Sequence, residues 1–523
     1  MPRPTPLEQD LFCVLLLAIL SLTLWLPVLD QVSLNPDESQ YEATASYLLA
    51  SETSAFLPSG APGMFGLFKL ASWVFGPYPI FFMRVLAMTI AFAIAVMLFR
   101  VVRIEANRWC GLISGLVFLH AVTPFEGFAV NREWFSSLVT VGGLSLYMTI
   151  RRHKRPRTWF LFVSGLLCGL ALWFKLQTSL ITLVVPTFVL VEAFASRSAA
   201  KLRDEIPWFA AGGLSAGVAY LIPLSLNGNL AQFVEFIVSD IQLYVGGNES
   251  VVRSSYLGRF FLDLPHRLVF LIAYVIAGIV TAAWIFRMVR PGDSSKRPGP
   301  VLSMFTAYLL FAMYCVQLGS RFYAHYYQLM IPAVAGLVGL AVHGLLGFVR
   351  RRPSWRIPGF VAIALIVVQT GVLVVHEQRA LRPGSMSHNA YKYVELTRYF
   401  EREAHAGDRL FVWGWAPEIY SLTRLEAASH ITFCQFVAND IPGFPDRPSI
   451  NEVWAGMLLT ELDTSRPRFI VDASRQTWFE TEPWIYDLRN YPDFELNNLL
   501  RARYREVARI EDVPIWERID TNP

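Results

Sequence analysis

The heptapeptide Asn35-Pro36-Asp37-Glu38-Ser39-Gln40-Tyr41 sets two carboxylates side by side just after the first long apolar run of the chain. A carboxylate within hydrogen-bond reach of a hydroxyl or amine can take its proton, so Asp37 is a candidate general base and Glu38 a companion that orients the acceptor or the helix. The same residues also make a good helix start. Asn35 suits the N-cap, Pro36 the first helical position, and two acids in the first turn complement the helix dipole. Tyr41, one turn after Asp37, shares its face and can stack on a sugar or pack in an aromatic belt. Cations gather at other helix ends: Arg132, followed by Glu133, then Lys175, then Arg321 and His325 with Tyr326 and Tyr327. Together they can hold an anion, because preorganised positive charge is most effective in a water-poor site. Arg132 and Lys175 can equally snorkel to a membrane interface. His325 can be a neutral belt residue, although its loop is too short to need three rings for packing.

The elements that must position these groups are membrane helices. Hydrophobic residues make up 54% of the chain and charged ones only 16%, more apolar surface than a water-soluble core absorbs. The net charge of +4 needs no nucleic acid, since cytoplasmic loops of multispan proteins supply such an excess. Apolar runs approaching the roughly 20 residues of a span occur at 11–29, 80–99, 109–124, 135–150, 159–174, 180–194, 208–226, 268–286, 301–318, 329–348 and 358–375. A polytopic α-helical membrane protein of about eleven transmembrane helices is therefore predicted. Lys and Arg cluster in alternate loops, at Arg100 to Arg108, Arg151 to Arg157, Arg197 to Arg203, Arg287 to Arg297 and Arg350 to Arg356. Retention of such clusters inside predicts a cytoplasmic N-terminus, with 31–77, 227–266, 319–327 and everything after His376 outside. The first run, preceded by Glu8 and Asp10 and lacking a small-x-small cleavage site, reads as a retained anchor.

Spacing within the runs concerns packing. Gly111 with Gly115, Gly165 with Gly169 and Gly213 with Gly217 are small-xxx-small pairs that let membrane helices approach closely. Cys13, Cys110, Cys168, Cys315 and Cys434 offer no disulfide or zinc spacing. Asn248-Glu249-Ser250 is formally a glycosylation sequon, relevant only in an endoplasmic reticulum. Arg253, Arg259, Tyr244 and Tyr256 lie in that same loop.

From about Gly384 the composition becomes that of a globular domain, and roughly 140 residues can bury a core. Arg409 to Trp413 and Arg468 to Val471 read as buried strands, 450–462 and 494–503 as helices, and 504–519 as two strands turning at Asp512. The expected organisation is a transmembrane catalytic module at 1–376, whose first outer loop at 30–78 holds amphipathic helices, and an extracytoplasmic α/β domain at 377–523.

The Asp37-Glu38 pair in a first outer loop, followed by Tyr41 and Ala45, resembles the GT-C membrane glycosyltransferases, in particular the dolichyl-phosphate-mannose protein mannosyltransferase-like family and its bacterial relatives, the aminoarabinose transferases among them. Ala61-Pro62-Gly63, Arg84, the segment from Arg321 to Tyr327 and Val412 to Tyr420 add to the likeness. The chain has Ser59-Gly60-Ala61-Pro62-Gly63 where aminoarabinose transferases carry Lys-Pro-Pro, which speaks against lipid A as acceptor. The resemblance implies a GT-C fold in a bacterial plasma membrane. It implies a polyprenyl-phosphate sugar donor, an acceptor that is a glycan, lipid or protein, and an inverting displacement at the outer face. Asp37 is then the base, and Arg321, His325, Lys175 and Arg132 face the donor phosphate. Tyr41 and Tyr326 contact substrate, with Trp413, Trp415 and Glu418 as further acceptor contacts, although Trp413 also suits a core. No cofactor is expected. Asp37, Glu38 and His325 can offer ligands to a divalent ion, but no spacing demands one. A flippase for lipid-linked sugars would place charge along the bundle interior, and a non-catalytic envelope-assembly scaffold would leave Asp37 a helix cap.

Overall fold

The computed structural model describes residues 5–29, 35–50, 62–122, 127–152, 158–196, 199–226, 299–318, 324–351, 393–438, 449–474 and 487–519, with short pieces between 228 and 286. Its helices in chain order are α1 (Pro6–Trp25), α2 (Pro36–Ala50), α3 (Pro62–Phe75), α4 (Ile80–Glu105), α5 (Arg108–Ala121), α6 (Arg132–Arg152), α7 (Thr158–Gly169), α8 (Val184–Ser196) and α9 (Ala200–Leu226), followed by Pro300–Leu318 and Ile331–Arg351. Six helices among the described residues are long and apolar enough to cross a membrane, and Arg108–Ala121 and Thr158–Trp173 are shorter apolar helices. Every predicted apolar run within the described residues is helical. Those at 358–375 and most of 268–286 lie outside the described residues, as do the sequon at Asn248 and Tyr244, Arg253, Tyr256 and Arg259. Basic residues close α4, α6 and Ile331–Arg351, at Arg103, at Arg151 and Arg152, and at Arg350 and Arg351.

Two compact units divide the chain: Met1–Leu29, Val85–Leu226 and Arg253–Ser385 form one, and Asp30–Arg84, Asn227–Val252 and Met386–Pro523 the other. The first is the helical bundle. Its α1 begins with a capping box, the Thr5 hydroxyl accepting from the Glu8 N–H at 3.2 Å while the Glu8 carboxylate accepts from the Thr5 N–H. Leu7, Leu11, Leu15, Ile19 and Leu22 are exposed on α1 while Cys13, Leu17 and Leu24 are buried, as suits a helix with one face toward lipid. The Gly165–Gly169 pair packs α7 against α9. A methyl group on Gly165 would collide with the Phe209 carbonyl of α9, and one on Gly169 would come within 2.7 Å of the Gly213 carbonyl. Gly217 has open space instead. Gly165→Leu is therefore expected to cost about 3 kcal/mol or more through overpacking, seen as a lowered melting temperature in detergent. Gly217→Leu should leave it unchanged.

The second unit joins α2 and α3 to the C-terminal α/β domain. Strands β1 (Arg409–Trp413), β2 (Glu426–Ala427), β3 (Phe469–Asp472), β4 (Tyr504–Ile510) and β5 (Val513–Arg518) form one sheet in the order β2-β1-β3-β5-β4. β1 runs parallel to β2 and β3, whereas β5 is antiparallel to β3 and β4. The uninterrupted apolar runs of β1 and β3 reflect burial on both faces. Phe411, Trp413 and Ile470 meet Trp454, Leu458, Leu496 and Leu500 from the helices Glu452–Ser465 and Glu495–Arg503. On the other face Phe400 of the Val394–Glu403 helix sits edge-on to Phe469, with ring centroids 5.2 Å apart. The β4–β5 turn falls at the predicted Asp512: Glu511 and Asp512 have φ of 50° and 64°, the two left-handed positions that a tight hairpin requires. The short β2 and the Glu418–Thr423 helix were not foreseen.

Candidate functional site

The Asp-Glu motif opens α2 as its residue types dictate. Asn35 accepts the Asp37 backbone N–H on its side-chain oxygen at 2.8 Å, so the cap is Asn35, with Pro36 first in the helix. The two acids then diverge. Asp37 is only half-buried. Glu38 is fully buried and paired with Arg84, whose Nη2 lies 2.9 Å from one carboxylate oxygen and whose Nε lies 3.3 Å from the other. That bidentate geometry compensates two charges taken out of water, and it commits Glu38 to holding α2 against the start of α4.

Beyond these residues α2 departs from expectation. The amphipathic stretch predicted through Leu49 is buried on all sides from Tyr41 to Leu48, because α3 covers one face and the C-terminal domain another. Tyr41 is 1% exposed, with its ring edge-on to Phe65 at 5.5 Å and tilted against Phe68 at 5.8 Å, which places it in the α2–α3 packing. Glu42, one turn after Glu38, is buried too. It accepts the Ser421 hydroxyl at 2.6 Å and the Ile80 backbone N–H at 3.0 Å. The sequence reading did not single it out, and its signal was an acid at i+4 from Glu38 amid small and apolar residues.

In the helical bundle, Lys175 occupies an extended break between 3₁₀ segments at Leu170–Trp173 and Leu176–Leu183. The freed backbone is satisfied locally, the Thr178 hydroxyl donating to the Lys175 carbonyl at 2.6 Å, as a buried break in a helix requires. The Lys175 ammonium pairs with Glu133 at the start of α6 and sits 3.3 Å from the ring centroid of Tyr326. His325 meets Tyr326 edge-on at 4.8 Å. Lys175, His325 and Arg132 all act electrostatically on the buried Glu133, so three of the four predicted phosphate-facing groups meet at one carboxylate. Glu133 as the counter-ion was not anticipated. Arg321, Phe322 and Tyr323 lie outside the described residues.

The Val412 to Tyr420 motif contributes to the packing of the C-terminal domain. Trp413 is in the core. Gly414 has φ of 120° and a methyl group there would stand 3.0 Å from the Ala473 backbone, so only glycine fits. The Val412 N–H donates to the Tyr420 hydroxyl at 2.8 Å, and Glu418 is buried at a helix start. Trp415 is half-buried, with its ring stacked on Phe433. A cavity of about 390 Å³ lined by Ser46, Tyr78, His405, Asp408 and Arg424 takes in none of the predicted site residues. Among the described residues no three His, Cys, Asp or Glu side chains gather as a metal-holding set.

No protein-family model and no curated protein sequence matches the chain. Solved structures do. ArnT from Cupriavidus metallidurans bound to undecaprenyl phosphate superposes with a TM-score of 0.60 at 14% identity, covering 98% of this chain and 99% of that one. The Archaeoglobus fulgidus oligosaccharyltransferase tethered to an acceptor peptide with the NVT sequon gives 0.57 at 12% identity over 95% of this chain and 72% of its own. The archaeal oligosaccharyltransferase AglB from Archaeoglobus fulgidus, in complex with an inhibitory peptide and a dolichol-phosphate, gives 0.55 at 12% identity over 98% and 75%. At such identities the likeness concerns architecture, and it extends over nearly the whole chain: the fold is that of the GT-C membrane glycosyltransferases.

Proposed function

We propose that this protein is a glycosyltransferase that moves a sugar from a polyprenyl-phosphate donor to a glycan, lipid or protein acceptor at the outer face of a bacterial plasma membrane. The observation that carries the reading is the division of labour on α2. Glu38 and Glu42 are buried and committed to protein partners, whereas Asp37 retains solvent access on the first turn. Supporting it are the GT-C fold, whose solved examples hold undecaprenyl phosphate and dolichol-phosphate, and the loop-charge asymmetry that puts α2 outside.

In the proposed reaction Asp37 takes the proton of the acceptor hydroxyl or amine as its oxygen or nitrogen attacks the anomeric carbon. The bond from that carbon to the phosphate oxygen breaks, and the polyprenyl phosphate leaves with the electron pair. One displacement inverts the anomeric centre; retention would need a second carboxylate about 5 Å away as a nucleophile. Lys175, His325 and Arg132, three cationic or ionisable groups that act on Glu133, are assigned to the donor phosphate, and Arg321 joins them by its place in the sequence. Tyr326, which carries Lys175 on its ring, orients the ammonium.

Removing Lys175 alone would strand buried Glu133, so the informative variant is Lys175→Met with Glu133→Gln. Loss of one charge-assisted phosphate contact is expected to raise the donor KM about tenfold or more. Equal KM in variant and wild type, measured with a polyprenyl-phosphate sugar in detergent, would remove Lys175 from the phosphate site.

A further inference from the structure

Polar groups further along α2, Glu42 and Thr44, form a coherent set of contacts in the second unit. Glu42 bridges two elements, accepting from Ser421 of the Glu418–Thr423 helix at 2.6 Å and from the first N–H of α4, at Ile80, at 3.0 Å. Half a turn on, the Thr44 hydroxyl donates to the His430 carbonyl at 3.4 Å and lies 3.2 Å from the Thr432 hydroxyl. The receiving segment is itself braced, since Glu461 accepts from the Ser429 hydroxyl at 2.6 Å, from the His430 N–H at 3.1 Å and from the His430 ring at 2.6 Å. Tyr78, just before α4, donates its hydroxyl to the Leu425 carbonyl. The helix bearing Asp37 is thus gripped by the C-terminal domain from Ser421 to Thr432.

We propose that Glu42 is a positioning residue of the transferase, a latch that joins α2 to the C-terminal domain at Ser421 and to α4 at Ile80 and so fixes where Asp37 stands. The proposal rests on Asp37 acting as the base. A carboxyl with both oxygens engaged on two separate elements is a bridge that neither a short hydroxyl nor an apolar side chain reproduces, and a misplacement of about 1 Å at a base can cost 100-fold in rate.

The latch is also sensitive to protonation. Burial pushes the Glu42 carboxyl up to about 7; the Ser421 hydrogen bond opposes this, the neighbouring Glu38 adds to it, and the Ile80 N–H and Arg84 oppose it. Tyr78, before α4, also feels the Glu42 carboxylate and in turn that of Glu426 of β2. As an acid Glu42 can donate to the Ser421 hydroxyl, which accepts as readily as it donates. Ionisation adds a buried negative charge beside Glu38. An acid whose folded-state value lies above the ordinary 4.5 stabilises the docked state fully at low pH, and that contribution is lost as pH rises through about 7.

The test is amide hydrogen exchange of the full-length protein in nanodiscs, read at residues 36–50 and 418–423, alongside transfer kinetics at roughly pH 6 and pH 8. In wild type, protection of both segments and kcat should fall together from the lower to the higher pH. Glu42→Gln, which keeps a neutral acceptor for Ile80 and a donor for Ser421, should hold protection and kcat level across that range. Glu42→Ala should lose protection at both, with kcat down about 10- to 100-fold and donor KM changed by no more than about twofold. Unaltered protection in Glu42→Ala, or a loss in Glu42→Gln as deep as that in Glu42→Ala, would overturn the latch. Failure of the base assignment would look different, since Asp37→Asn would then keep full turnover while the exchange pattern of the Glu42 variants stayed as described.

Discussion

Asp37→Asn should lower kcat for sugar transfer by about 10²- to 10⁴-fold, the range for removing a positioned general base, while the donor KM and the melting temperature stay near wild-type values. The variant is nearly isosteric and cannot take a proton. Its stability is expected to survive because the cap of α2 is Asn35, whose side-chain oxygen already accepts the Asp37 N–H at 2.8 Å. Were Asp37 merely a helix-start residue, the same change would leave turnover intact, and even loss of a true cap costs only about 1 kcal/mol. Kinetics and melting measured on one preparation separate the two roles. A fall in kcat without a fall in stability supports the base, and equal turnover removes it.

Arg84→Ala is the substitution with the largest expected effect on stability. Arg84 is 1% exposed and Glu38 is 0% exposed, so truncating the arginine removes the bidentate cation from a carboxylate in the interior. Breaking such a pair from one side costs about 3–5 kcal/mol, whereas replacing both partners by apolar groups of similar shape is close to neutral. Arg84→Met together with Glu38→Leu should therefore recover most of the stability that Arg84→Ala loses, in chemical denaturation followed by tryptophan fluorescence. Should Arg84→Ala melt like the wild type, the pair is not what holds α2 to α4. The double variant carries a second prediction: because Glu38 is assigned to holding the helix and Asp37 to chemistry, restored stability should bring back most of the transfer rate.

What could be read in the sequence was what repeats along the chain. The helical bundle followed from apolar runs, and β1, β3 and the β4–β5 hairpin from short buried runs and a turn at Asp512, because each signal is local and repeated over many residues. The cap at Asn35 was equally local. What escaped were pairings between distant segments. Glu38 with Arg84, Lys175 with Glu133 and Glu42 with Ser421 are separated by 46, 42 and 379 positions, and no periodicity connects them. The misreading of α2 has the same origin. Its small residues Ala43, Ala45 and Ser46 allow two elements to close on the helix, a fact that belongs to α3 and the C-terminal domain more than to α2 itself. Likewise the discontinuous second unit, in which Asp30–Arg84 joins residues from Met386 onward, cannot be inferred from composition, which changes only near the C-terminal boundary.

The most direct test of the central claim is to give the purified protein, in proteoliposomes, a panel of labelled polyprenyl-phosphate sugars with membrane-derived acceptors, and to determine both transfer and the anomeric configuration of the product. The account predicts transfer from at least one donor, with inversion at the anomeric carbon and release of polyprenyl phosphate. A lipid-linked sugar that crosses the bilayer without any transfer, or a product of retained configuration, would contradict it.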